Sequence, residues 1–218
     1  MSKLYSDPHR ELQDRFDTRR LADMLEQFFV HPEFTPEEKA FIESRDMFFL
    51  STIDSDGRPT VSYKGGEPGF MRVAGPATLL FPCYDGNGMY YSMGNLKAQP
   101  EVGLLFIDFE TPNRLRVQGK AEICLDHPEL GNFAGAEFLV SIAVDQIWQN
   151  CARYIHKYQK VGTSKYAPKQ EAQAPFAVWK RVDVVQDALP DRDKGKAEAE
   201  GGLITEETYI DLLKRGET

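Results

Sequence analysis

"NRLRVQGKAEICL", residues 113–125, alternates without a break. Leu115, Val117, Gly119, Ala121 and Ile123 fall on one side of an extended chain, and Arg114, Arg116, Gln118, Lys120 and Glu122 on the other. The two-residue repeat of a β-strand makes one apolar and one polar face from that order, whereas a helix would mix them. Further extended runs lie on either side. "MFFLSTID" (47–54) is apolar and partly β-branched, "SDGRP" is a turn, and "TVSYKGG" (60–66) resumes the extension, which predicts a hairpin. "ATLLFPC", "GMYYSMG", "EVGLLFID" and "EFLVSIAVDQI" predict further strands. Six or more short strands separated by turns, with little helix between them, predict an antiparallel barrel or sandwich rather than a parallel sheet.

Helices flank this β region. Leu12 and Phe16, then Leu21, Met24, Leu25 and Phe28, recur at the helical period until His31-Pro32 ends the pattern. In "TPEEKAFIESR", Thr35 can cap a second, short helix, with Pro36 in its first turn and Glu38 completing a capping box. After Trp179 the chain thins out. "QDALPDRDKGKAEAEGG" (186–202) is charged and poor in large apolar residues, which predicts a flexible linker, and "ITEETYIDLLKRG" a terminal helix with Ile210 and Leu213 on one side. The expected organisation is a helical segment over 1–45, a β domain over 46–185, and a linker with a C-terminal helix over 186–218.

Composition narrows the function. With 34 acidic and 26 basic residues the net charge is -8, which argues against nucleic acid or an anionic membrane as the main partner. No apolar run approaches the roughly 20 residues that span a bilayer, and the charged N-terminus lacks the apolar core of a secretory signal. Cysteines at 83, 124 and 151 and histidines at 9, 31, 127 and 156 are scattered without metal-ligand spacing. A reduced, cytoplasmic protein without a metal is expected.

The segment "IWQNCARYIH" (147–156) concentrates reactive side chains. A helix separates Cys151 from His156 by roughly 140°, and a strand puts them on opposite faces, so neither geometry makes them joint ligands or a nucleophile and its base. Trp148, Cys151, Ala152, Ile155 and Tyr158 recur at steps of three and four, which predicts a helix with a buried stripe. Asn150, Arg153, Tyr154 and Lys157 form a second, polar stripe, either a solvated face or one turned toward a ligand. Hydrolase, NTPase and dinucleotide-binding motifs are missing. What remains are polar residues that interrupt apolar strands: Ser62 and Lys64, Ser92 and Asn95, Arg116 and Gln118. Hydroxyls, amides and cations together suit a phosphate carrying a polar heteroaromatic ring.

In order, "FFLSTIDSDGRPTVSYKGGEPGF", "YDGNGMYYSMGNLKAQPEVGLLFID", "LRVQGKAEI" and "NCARYIH" resemble the FMN-binding proteins related to pyridoxamine 5'-phosphate oxidase. The resemblance implies a split antiparallel β-barrel and a homodimer with two FMN molecules at the subunit interface. Carried over by position, it implies that Ser62 and Lys64 hold the phosphate and ring edge, and that Ser92 and Asn95 reach the phosphate. Arg116 and Gln118 would add contacts to the flavin, and Arg153, with Tyr154 beside it, another cation. The chain departs from the vitamin-pathway oxidases in its first hairpin, in "SMGNLKAQP" and at its C-terminus, so oxidation of pyridoxamine phosphate is not implied. The expected function is an FMN-dependent oxidoreductase acting on a small-molecule substrate or electron donor. The alternatives are a non-catalytic flavin-binding or storage module, or a split barrel that binds haem or deazaflavin.

Overall fold

A computed structural model describes residues 2–169 and 174–218. Two compact units divide the chain: residues 1–163 with 168–170, and residues 164–167 with 171–218.

The first unit opens with helices α1 (Asp7–Arg15), α2 (Arg19–Phe29) and α3 (Pro36–Glu43). The single helical segment read up to His31 is broken at Asp17, whose φ of 52° leaves the right-handed helical region. None of the residues of α1 or α2 is buried, so their apolar stripe faces outward. α3 starts with the expected capping box: the Glu38 N–H donates to Thr35 Oγ1, and the Glu38 carboxylate accepts from the Thr35 N–H.

Strands β1 (Met47–Ile53) and β2 (Pro59–Gly65) form the expected hairpin, in register from Met47↔Gly65 to Ile53↔Pro59. β3 (Arg72–Gly75), β4 (Thr78–Tyr84), β5 (Glu101–Asp108), β6 (Asn113–Cys124) and β7 (Ala136–Asn150) complete one antiparallel sheet in the order β2-β1-β5-β6-β7-β4-β3. β1 and β4 are four steps apart in that order, yet the rings of Phe48 and Phe81 meet edge to face at 5.3 Å. The sheet therefore curls onto itself around a core that also holds Leu50, Leu104, Phe106, Val117, Ile142 and Ile147. It stays open between its edge strands β2 and β3, the architecture of a split barrel.

Two expected elements change type. "GMYYSMG" has the pattern of a strand, but residues 91–98 form helix α4 (Tyr91–Ala98), because Ser92, Met93, Asn95 and Leu96 are buried at helical spacing. The helix expected over 147–156 is absent. β7 runs to Asn150, paired with Arg114, and an exposed turn follows in which Tyr154 has φ 72°. Sheet pairing along fifteen residues outweighs the local helical period, and Cys151 is exposed rather than part of a buried stripe.

In the second unit, short 3-10 turns at Val178–Arg181 and Asp183–Ala188 lead to α5 (Glu206–Arg215), capped by Thr205 and ended by Gly216 in the left-handed conformation. The stretch 186–202, expected to be a flexible linker, folds around a buried ion pair between Lys180 Nζ and Asp193 Oδ2, at 2.7 Å. Its composition hides that one partner of the pair lies in the preceding segment.

Two outcomes follow from this packing. At the β6–β7 bulge, a Cβ on Gly119 would meet the Ala143 carbonyl oxygen at 2.3 Å, whereas one on Gly103 would make an ordinary contact with Ser51 at 3.8 Å. Denaturant unfolding should show Gly119→Ala destabilised by about 2–3 kcal/mol and Gly103→Ala by well under ~1 kcal/mol. Lys180→Met leaves the buried Asp193 carboxylate with only the longer pair to the half-exposed Lys196, at 3.7 Å, and hydrogen exchange should then open residues 174–218 selectively, at a cost of about 2–4 kcal/mol.

Candidate functional site

The β1–β2 register decides which way each polar residue points. Directly opposed residues share a face, so Ser62 opposite Leu50 and Lys64 opposite Phe48 belong to the inner face. Helix α4 closes that side of the barrel, with Met93 and Leu96 in the core. Asn95 Nδ2 donates to the fully buried Thr52 Oγ1 at 3.1 Å, and that hydroxyl lies 3.1 Å from Thr60 Oγ1. Three residues earlier, Ser92 Oγ donates to Ser62 Oγ at 3.1 Å. Ser62, Ser92 and Asn95 are thus brought together where α4 begins, and Lys64 lies two positions along β2 from Ser62.

Lys64 has neither a hydrogen bond nor an ion pair among the described residues. It lines a cavity of about 210 Å3 with Tyr63, Cys83, Tyr84 and Met93, in the open seam of the barrel between β2 and the end of β4 that runs past β3. Burial pulls the Lys64 ammonium below its ordinary pKa, with the neighbouring Cys83 opposing. Burial also pushes the Cys83 thiol up to about 11 and the Tyr84 phenol up to about 12, so neither supplies an anion to pair with it near neutrality. Lys64 is thus a part-buried cation without a counter-ion among the described residues, on the same face of β2 as Ser62.

The start of α4 is held under strain. Tyr90, the residue before the helix, has φ 45°. Its hydroxyl donates to Glu137 Oε2 at 2.5 Å and its ring stacks on Phe138. Sequence reasoning missed Tyr90, because its signal is a dihedral angle rather than a residue pattern.

Arg116 and Gln118 lie elsewhere. They are exposed on the outer face of the sheet, where the strand pairings build two cross-strand rows. Tyr63, Phe49, Leu105, Arg116 and Trp148 make one, and Val61, Ser51, Gly103, Gln118 and Gln146 the other. Val61 and Tyr63 are 68% and 63% exposed, so this face offers apolar surface around its two polar side chains. Arg153 and Tyr154 are not brought to either cluster. They form the tip of the turn after β7, where Tyr154 is 87% exposed and Arg153 stands over its ring at 6.0 Å. The turn is closed by the Ile155 N–H donating to the Ala152 carbonyl, and further along the Tyr158 N–H donates to the Phe109 carbonyl.

Among the described residues no group of His, Cys, Asp and Glu could hold a metal ion, and no helix is long and apolar enough to cross a membrane. Comparison with the curated proteins finds no match. Among solved structures, HupZ of Group A Streptococcus is 19% identical, the match covering 58% of this chain and 99% of that one with a TM-score of 0.44. HutZ, the haem storage protein of Vibrio cholerae, is 20% identical over 53% of this chain and 94% of its own, with a TM-score of 0.41. An FMN-binding protein from Syntrophomonas wolfei is 15% identical over 64% and 97%, with a TM-score of 0.40. The sequence profile of the family described as pyridoxamine 5'-phosphate oxidase matches residues 34–180, well over half of the chain. The chain belongs to the pyridoxamine 5'-phosphate oxidase family.

Proposed function

We propose that the protein is an FMN-dependent oxidoreductase of the cytoplasm that works as a homodimer, with each flavin held between two subunits. The observation that carries this reading is the unpaired Lys64 beside the Ser62–Ser92 hydroxyl pair at the start of α4. A phosphate monoester suits that donor set: the ammonium would neutralise it, the hydroxyls would turn to its lone pairs from their present acceptors, Ser62 Oγ and the Leu50 carbonyl, and the first-turn N–H groups of α4 would face it with the positive end of the helix. Asn95 would act through Thr52, keeping the helix start in place. The flavin, when bound, supplies the hydride and electron chemistry.

The faces that the residues occupy support the dimer, if Arg116 and Gln118 meet the flavin as the family resemblance implies. Lys64 and Ser92 belong to the inner side of the sheet and Arg116 and Gln118 to the outer face, so one subunit cannot wrap a single ligand with both sets. Two copies can. The outer face of one subunit would then meet the seam of the other, with Arg116 and Gln118 at the edge of the flavin ring and Gly103 leaving room between Ser51 and Gln118. The exposed turn of Arg153 and Tyr154 would reach the same interface. The small-molecule substrate would take the open side of the ring.

The visible spectrum of the concentrated protein, with mass spectrometry of what denaturation releases, should show flavin bands and FMN. Reduction of that flavin by NADH or NADPH and its reoxidation faster than free FMN would mark an enzyme; bound flavin without turnover would reduce the function to carriage. Lys64→Met should weaken FMN binding by about 2 kcal/mol or more, yet stabilise the apoprotein by roughly 1 kcal/mol. The folded pKa of Lys64 lies below the unfolded one. Its contribution to the stability of the apoprotein is therefore present above the unfolded pKa and lost as pH falls through the folded one, a dependence that Lys64→Met should remove. Lys64→Met and Arg116→Ala should each bind flavin weakly alone. Co-expressed, they should regain about a quarter of the sites, because half of the dimers are mixed and each mixed dimer has one unaltered site. No recovery would place both residues in the same subunit's site and overturn the shared one.

A further inference from the structure

A second cavity, of about 600 Å3, opens between α2, α3, the β5–β6 turn and the end of β7. On β5, Asp108 lies five residues beyond Gly103, which pairs with Ser51 beside Thr52, so this cavity is about 17 Å along the strand from the Thr52–Asn95 link. Nothing in the flavin reading uses it.

Leu25 and Phe29 of α2, Phe41 of α3 and Pro112 supply its apolar walls. Both α2 side chains stay about half exposed, as apolar groups facing an open cavity must. Its polar lining consists mainly of amides: Asn113, Gln149 and Asn150. Asn113 Oδ1 accepts from Gln149 Nε2 at 2.6 Å and from the Arg114 N–H at 2.8 Å. That leaves the Asn113 amide N–H groups, the Gln149 carbonyl and the whole Asn150 amide without partners among the described residues. The lining includes one charged group, the Asp108 carboxylate, and it is already spent. It accepts from the Glu110 and Thr111 N–H groups and the Thr111 hydroxyl, and pairs with Arg45 at 2.8 Å. Arg45 in turn lies over the ring of Phe41, 4.9 Å from its centre. The cavity therefore offers flat apolar surface with free amide donors and acceptors and no uncompensated charge.

We infer that this cavity is a binding site for a neutral planar heteroaromatic ring bearing an amide or lactam edge. The walls take the ring, and the free N–H groups of Asn113 and side-chain carbonyl of Gln149, which oppose Asp108 and the buried Leu115 and so share the inner face, match both the C=O and the N–H of such an edge. An anion finds no cation to meet it, because Arg45 is committed to Asp108. The inference does not depend on the flavin.

Cys151 lines the cavity and is exposed, which gives a direct readout. The rate at which iodoacetamide alkylates Cys151 is followed by peptide mass spectrometry on the full chain as purified, with nicotinamide and then nicotinate as probes. Nicotinamide should slow alkylation about tenfold at ten times its Kd, and nicotinate, the same ring with a carboxylate, should not. Gln149→Leu, at an exposed position, should abolish the protection, whereas Ser92→Ala should retain it. Gln149→Ala repeats the test with a smaller side chain. Absence of protection by nicotinamide, equal protection by nicotinate, or protection that survives both Gln149 variants would overturn the assignment. A flavin-free preparation that still shows the protection would separate this result from the fate of the FMN reading.

Discussion

The candidate site depends on one buried polar link, from the Asn95 amide to the Thr52 hydroxyl and on to Thr60. Thr52 is fully buried in the middle of an apolar face, where an unpaired hydroxyl would cost about 1–3 kcal/mol. Thr60 meets one side of that hydroxyl, and the buried Asn95 amide finds its own partner there only if α4 lies where the amide reaches β1. That condition sets the register of the helix against the hairpin, and with it the place of Ser92 against Ser62. Gln99 Nε2 donating to the Asp54 carbonyl ties the far end of the helix to the same hairpin. The hydroxyl pair is therefore preorganised by a hydrogen bond that need not touch any ligand.

The alternation of the strands then divides the chemistry. Because Lys64 opposes Phe48 and Arg116 opposes Leu105, the two cations point to opposite sides of one curled sheet. A single-chain site would have needed β6 to slip by one residue, which would also turn Leu115 and Val117 out of the core. The core thus fixes the polar residues where only a second copy could unite them.

Much of this was legible in the sequence. The β6 alternation, the β1–β2 hairpin and the Thr35 capping box rest on local patterns, which the tertiary structure leaves alone. Other features depend on partners distant in the chain. "GMYYSMG" is rich in aromatics and reads as a strand; it becomes helical because Ser92, Met93, Asn95 and Leu96 must all reach the barrel interior. "IWQNCARYIH" has a helical period, yet its first four residues are claimed by pairing with β6. The segment 186–202 reads as solvated until Asp193 is seen paired with Lys180. Of the expected site, Ser62, Ser92 and Asn95 meet and Lys64 stands beside them, whereas Arg116, Gln118, Arg153 and Tyr154 are placed elsewhere. Sequence order carries no information about which face of a closed sheet a residue will share with a distant one.

Two features are costly for the isolated chain and point the same way. Lys64 holds a part-buried charge that no group among the described residues compensates, although methionine would fill a similar volume without that cost. Val61 and Tyr63 leave apolar surface in water on an edge strand, the arrangement that invites unwanted pairing. Stability alone would remove both. An anion in the seam would remove the first cost and a second subunit on the outer face would remove the second. One ligand lodged between two copies removes both together, which is why the flavin and the dimer stand or fall as a single reading.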